Sequence, residues 1–199
     1  MTMGASQLCL FAKSDSSRET PNLQFHVQPI STDKLGGASL HDFHAFTPTV
    51  ANVRPTSRGE INIISKDSRE KPKIKMNYLS TEDDRKVAAD GLRLVRDIVF
   101  KSETFKKYHP EELRPGSQFQ SNEELVQEGS KFTQTIFHPV GTCKMGNDEN
   151  AVVNDELKVH GIQNLRIIDA SIMPNITSGN TNAPTIMIAE KGADMILGK

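Results

Sequence analysis

Leu23, Phe25 and Val27 alternate with Gln24, His26 and Gln28. A period of two predicts a strand with one apolar face over 23–30. A shorter apolar run predicts another strand over 7–12, with polar, turn-rich residues 13–21 between the two. Residues 31–41 carry Gly36-Gly37 and read as a flexible loop. Phe43, Ala45, Phe46, Val50 and Val53 mark a third extended run, interrupted by Pro48. Proline has no N–H for a ladder, so this run is expected at a sheet edge or with a break. A turn over Arg54–Glu60 and the apolar Ile61–Ser65 then predict a hairpin of 43–53 with 61–65. After a charged loop, Lys73–Leu79 alternates again and predicts a further strand.

The period changes at Ser80. Glu82, Asp83 and Asp84 follow two capping residues, Ser80 and Thr81, and suit the positive end of a helix dipole. Val87, Gly91, Leu92, Val95, Ile98 and Val99 then recur at three and four, predicting an amphipathic helix to about Lys101. Residues 105–108 suit a helical turn before Pro110. Ser121 or Asn122 caps a second helix expected to reach Thr133. Toward the C-terminus, Leu165–Ile168 predicts a short apolar strand ending at Asp169. Asn180-Thr181-Asn182 suits a helix cap, with Pro184 in the first turn. Strands grouped around a few helices imply an α+β fold with a mostly antiparallel sheet.

Composition narrows the function. The 199 residues carry a net charge of −1, without the basic excess that a nucleic-acid partner calls for. No apolar run reaches the ~20 residues of a membrane-spanning helix. The two cysteines, Cys9 and Cys143, are far apart, so a disulfide framework is not expected and a reducing, cytoplasmic setting is. The first residues have no basic region before their apolar patch, so no signal peptide is expected, and the chain reads as starting mid-domain.

Chemistry-bearing residues concentrate in 137–197. His138 stands in Phe137-His138-Pro139-Val140-Gly141-Thr142-Cys143-Lys144-Met145-Gly146. As residue types alone, His138 and Cys143 leave three readings open: an ordinary loop histidine, a weak pair of metal ligands, or a base and nucleophile of a hydrolase. Asp169, at the end of its strand, reads as a backbone cap unless a cofactor passes it. There is no Gly-x-Ser-x-Gly elbow and no phosphate-binding Gly-x-x-x-x-Gly-Lys loop.

The motifs together say more. His-Pro-x-Gly-Thr-Cys-x-Met-Gly, then Leu-Arg-x-x-Asp-Ala-Ser-Ile-Met-Pro, then Gly-Asn-Thr-Asn-Ala-Pro-Thr closely resemble the C-terminal signature of the glucose–methanol–choline (GMC) flavoprotein oxidoreductases, in their choline dehydrogenase-related branch. Pro21–His26 and Arg54-Pro55-x-Ser57-Arg58-Gly59 resemble that family's substrate-binding domain. The resemblance implies an enzyme that oxidises a small-molecule alcohol with the FAD flavin as hydride acceptor. It gives His138 the role of base, Asn180 that of its polar partner, and places Asp169, Ala170, Thr181 and Asn182 along FAD. An imidazole is suited to take a proton near neutral pH, and a fixed amide N–H steadies a developing alkoxide.

The same resemblance divides the chain into part of a substrate-binding domain, 1–136, and a C-terminal segment of the FAD-binding domain, 137–199. The family's Gly-x-Gly-x-x-Gly diphosphate motif is absent from these 199 residues. The chain is therefore expected to be the C-terminal portion of a longer enzyme, inactive without the N-terminal portion and binding FAD weakly alone. A Cys143/His138 hydrolase and a binding module without catalysis stay open beside it.

Overall fold

The computed structural model describes residues 6, 8–33 and 39–198. The expected flexible glycines Gly36-Gly37, residue 7 of the first predicted strand and the first five residues lie outside these. The described residues form an α+β chain with two compact units, Met1–Thr56 with Leu79–Gln134, and Ser57–Tyr78 with Thr135–Lys199.

The first unit is built on a three-stranded antiparallel sheet in the order β1(Leu8–Ala12), β2(Leu23–Gln28), β3(Thr47–Asn52). Pro48 lies opposite Val27 on β3, an edge strand, as its missing N–H requires. The third run is shorter than expected. Phe43 instead stacks on His41 at 4.8 Å, and the His41 N–H bonds back to the Ser31 carbonyl at 2.9 Å.

Helix α1(Glu82–Lys101) lies against this sheet. Leu23, Phe25 and Val87 form the buried centre, with Ala12, Val50, Leu94 and Val95 around it. Gly91 sets the closeness of approach, because a Cβ there would stand 2.7 Å from a Val50 methyl carbon. Val87, Gly91 and Val99 of the expected face are buried; Ala89 is buried beside them, and Ile98 is exposed. Thr81 caps α1 by accepting the Asp84 N–H at 3.2 Å, so Thr81→Ala should cost about 1 kcal/mol, read by urea unfolding. Equal midpoints for the two proteins would refute the cap.

The predicted hairpin of 43–53 with 61–65 does not form. Among the described residues β3 pairs with β2 alone, while β4(Glu60–Asn62) pairs with β5(Lys73–Lys75) in a separate two-stranded sheet. The connection is pulled elsewhere by Asp84, which is buried and accepts the Thr56 N–H at 2.8 Å and the Asn52 amide at 3.2 Å. Gly59 then admits β5, since a Cβ there would stand 2.3 Å from the Lys75 carbonyl oxygen.

Helix α2 is the short Glu103–Lys106, and α3 is Asn122–Ser130, ending before the expected Thr133. Ser121 and Glu124 form a reciprocal capping box at the start of α3. Backbone N–H groups of Ser121 and Gln120 hold the Glu124 carboxyl below its ordinary range. A lowered folded value means stabilisation present above the unfolded pKa of ~4.3 and lost as pH falls through the folded one. Removing this carboxylate by Glu124→Ala should flatten that acid-side loss of stability. An unchanged acid limb in a pH series of unfolding curves would count against the box.

Beyond β4, β5 and one C-terminal helix, the second unit has little regular structure. Its core is Val153, Leu157, Ile172, Met173 and Ile188, closed by α4(Asn182–Leu197). The expected strand at Leu165–Ile168 is reduced to one bridge, Arg166 opposite Lys158. Val159 N–H to the Leu165 carbonyl at 3.0 Å and Ile167 N–H to the Leu157 carbonyl at 3.2 Å hold the run extended. Ile167 and Ile168 pack into the core from it, which accounts for the apolar pattern. Among the described residues no helix is long and apolar enough to cross a membrane.

Candidate active site

The loop carrying His138 is held from both ends. On its N-terminal side Phe137 adopts a left-handed backbone, φ +64°, and its ring is 82 % exposed. That conformation is uncommon for a bulky residue and stores strain immediately before His138. On its C-terminal side Gly141 has φ +89°, and a Cβ there would meet the Met173 carbonyl oxygen at 3.3 Å. Cys143 N–H then bonds the Ser171 carbonyl at 3.0 Å, and Met145 N–H the Ile172 carbonyl at 2.8 Å. The His138 loop is thereby laced to the short 3₁₀ turn Ala170–Ile172.

Asp169 caps that turn, accepting the Ser171 N–H at 2.8 Å and the Ser171 hydroxyl at 2.5 Å. Its bland reading as a capping residue is therefore correct as structure. Ala170 begins the turn and is half-buried against the core.

His138 is half-buried, and both ring nitrogens are engaged. Nε2 lies 2.8 Å from the Asn180 amide nitrogen. Nδ1 lies 2.9 Å from the Thr181 hydroxyl and 3.3 Å from the Thr181 backbone N–H. His138 and Asn180, 42 positions apart in sequence, are thus brought into contact. Thr181 is 7 % exposed, and its hydroxyl is turned to His138. Asn182 opens α4 as an exposed residue and makes no side-chain hydrogen bond among the described residues.

The N-terminal turn of α4 leaves backbone N–H groups without intrahelical partners, and no acidic side chain sits there. A polar edge of a flavin suits that end: Asn182 and Ala183 are exposed and uncommitted to packing. Asn182 and the first-turn N–H groups are donors of the kind a flavin's carbonyl edge accepts, whereas Asp169 is an acceptor already bonded to Ser171.

No group of three or more metal-ligating side chains gathers among the described residues. The His138 nitrogens face Asn180 and Thr181 and not the Cys143 thiol. Two features escaped the sequence: the strained backbone at Phe137, which no glycine announces, and the engagement of Thr181 with the imidazole. The second had a signal in Pro184, three positions on.

The profile described as GMC oxidoreductase, its C-terminal domain, matches residues 55–189. The chain belongs to the GMC oxidoreductase family. It is 45 % identical over 189 residues to oxygen-dependent choline dehydrogenase of Pseudomonas savastanoi pv. phaseolicola (strain 1448A / Race 6), covering 95 % of this chain and 33 % of that protein. It is 45 % identical over 188 residues to the protein of the same name from Proteus mirabilis (strain HI4320), covering 94 % and 34 %. The chain thus spans about a third of the length of these curated relatives. Among solved structures, pyridoxine 4-oxidase from Mesorbium loti superposes with a TM-score of 0.85 at 28 % identity, over 98 % of this chain and 38 % of that one. Formate oxidase superposes with a TM-score of 0.78 at 29 % identity, over 90 % and 32 %. The homologues are FAD-dependent GMC enzymes, and this chain corresponds to their C-terminal part.

Proposed function

We propose that this chain supplies the proton-accepting side of an FAD-dependent alcohol oxidoreductase, with His138 as the base and Asn180 as its partner. The observation that carries this reading is the 2.8 Å contact between His138 Nε2 and the Asn180 amide. The contact sets an acceptor nitrogen beside an amide donor, and an alcohol hydroxyl serves both by taking the amide's place on the Nε2 lone pair while accepting the amide N–H itself. Nε2 takes the hydroxyl proton, and the amide N–H steadies the oxygen's growing negative charge. Bound FAD supplies the acceptor for the hydride that leaves the alcohol carbon.

Asp169, Ala170, the backbone of Thr181, and Asn182 are assigned to the flavin's edge. In this reading residues 1–136 contribute to the substrate-binding domain and 137–199 to the FAD-binding domain. The two cysteines are free, which agrees with a reducing, cytoplasmic setting.

The substrate class is a small alcohol of the choline type, by likeness to relatives named for choline. Quaternary ammonium groups favour aromatic faces. This chain has no Trp and two Tyr, and its candidate rings Phe43 and Phe46 already stack on His41 and Phe105. Aromatic recognition of such a group would therefore draw on residues beyond these pairs.

The test is anaerobic mixing of a flavin-loaded protein carrying this chain with choline and with other small primary alcohols. Bleaching of the flavin by an alcohol is expected. Full retention of oxidised flavin with every alcohol tried would overturn the reading. The 199-residue chain, which has no Gly-x-Gly-x-x-Gly, is expected to emerge colourless from purification and to bind added FAD weakly. A yellow protein after desalting would refute that part.

A further inference from the structure

Thr181 occupies the N-cap position of α4, yet its side chain makes no capping hydrogen bond. An N-cap threonine ordinarily accepts the backbone N–H of the second or third helical residue. Here the third is Pro184, which has no N–H to give. The backbone at Thr181 is also outside the extended region usual for a cap, at φ −91° and ψ 0°. The hydroxyl is thereby released from the helix, and it lies 2.9 Å from His138 Nδ1.

We infer that Thr181 is a positioning residue that fixes the tautomer of His138, its Oγ1 accepting the Nδ1 proton so that Nε2 stays the bare acceptor, held by the Asn180 N–H until an alcohol takes that place. The inference rests on the proposed role of His138 as base.

A neutral imidazole carries one proton, so its two nitrogens cannot both accept. As placed, the Asn180 amide nitrogen offers a proton to Nε2 at 2.8 Å. Nε2 is then the acceptor, and Nδ1 carries the proton toward the Thr181 oxygen. The competing contact is the Thr181 backbone N–H, also directed at Nδ1. At 3.3 Å it lies beyond the ordinary 2.7–3.2 Å range, whereas both side-chain contacts lie within it. The backbone contact is the one that yields.

This arrangement also serves the protonated ring. When Nε2 takes a proton, Nδ1 keeps its own, and the same bond to Oγ1 persists without any rotation at Thr181. A partner that only donated to Nδ1 would oppose the imidazolium. A hydroxyl accepts in both states, which is why threonine works at this position and valine, of the same shape, does not.

The test reads the ring directly. Long-range ¹H–¹⁵N spectra of the ¹⁵N-labelled full chain, taken well above the ordinary histidine range, distinguish a protonated from an unprotonated ring nitrogen. The His138 peaks are identified by their absence in His138→Gln. The wild type is expected to show a protonated Nδ1 and a bare Nε2. Thr181→Val should let the form protonated at Nε2 grow to half or more, and Thr181→Ser should restore the original pattern. Unchanged peaks from the other histidines establish that each variant is folded. A wild-type ring protonated at Nε2 overturns the inference with no variant needed, and so does a Thr181→Val spectrum identical to the wild type.

In a flavin-loaded protein carrying this chain, Thr181→Val should slow flavin reduction by up to about 10²-fold, as misplaced reacting groups do, chiefly in rate rather than in KM. The failures are separable. Slow reduction in His138→Ala with a wrong wild-type tautomer sinks this inference alone. Unchanged reduction in His138→Ala sinks the base reading, whatever the spectra show.

Discussion

Replacing His138 by alanine in a flavin-loaded protein carrying this chain should slow alcohol-driven flavin reduction by about 10²–10⁴-fold, the usual contribution of a positioned general base. FAD affinity should stay the same. The two effects separate because His138 spends its ring nitrogens on Asn180 and Thr181, and of the groups assigned to the flavin Thr181 alone bonds the ring among the described residues, while Asn182, the α4 amides and the Asp169–Ala170 turn do not. The measurement is anaerobic stopped-flow at the flavin absorbance band, beside a flavin titration of the same variant. An unchanged reduction rate would remove His138 from the chemistry. A rate lost together with flavin binding would make it a structural residue of the cofactor site. Asn180→Ala should cost about 10²–10³-fold, because it removes one hydrogen-bond donor and leaves the proton acceptor in place.

The resemblance gave His138 and Asn180 to one substrate oxygen, and the structure sets the two side chains 2.8 Å apart. Residue types alone did not: a histidine before proline and an asparagine in a capping loop are ordinary, and 42 positions separate them. Thr181 was legible in principle. A capping threonine three positions before a proline loses one of its two helix donors, which frees its hydroxyl for another partner.

The first unit was read well because its strands alternate and its long helix carries a cap and an acidic first turn. Those are local signals, and local packing honours them. The failed hairpin was a matter of partner choice. β3 and the following apolar run had suitable sequences, but Asp84 binds the connecting Thr56, a tertiary contact 28 residues away that no turn pattern records. The second unit was read worst. Leu165–Ile168 has a strand's composition, yet its pairing stops at one antiparallel bridge, Arg166 opposite Lys158, closed by bonds to Leu157 and Val159. Its side chains reach the core while its ladder is one bridge long, so the apolar pattern survived while the element did not.

That irregularity makes the second unit sensitive to its few buried side chains. Ile172→Ala should lower stability by about 2–5 kcal/mol, the range for a large aliphatic truncated in a closed core. Ile172 is 1 % exposed and packs in one cluster with Val153, Leu157, Met173 and Ile188. For a domain whose whole stability is ~5–15 kcal/mol, that is a large share. The backbone of the same residue accepts the Met145 N–H at 2.8 Å, one of the two bonds that lace the His138 loop to the 3₁₀ turn. A cavity at Ile172 should therefore loosen the loop as well as the core. Urea unfolding gives the first effect, and amide exchange at Cys143 and Met145 gives the second. Ile172→Val removes only one methylene and should cost about 0.5–1.5 kcal/mol with the loop still protected. If alanine cost no more than valine, the cluster would not be what holds this unit together. If alanine destabilised the unit while Cys143 and Met145 kept full protection, the His138 loop would be anchored by something other than the turn beneath it.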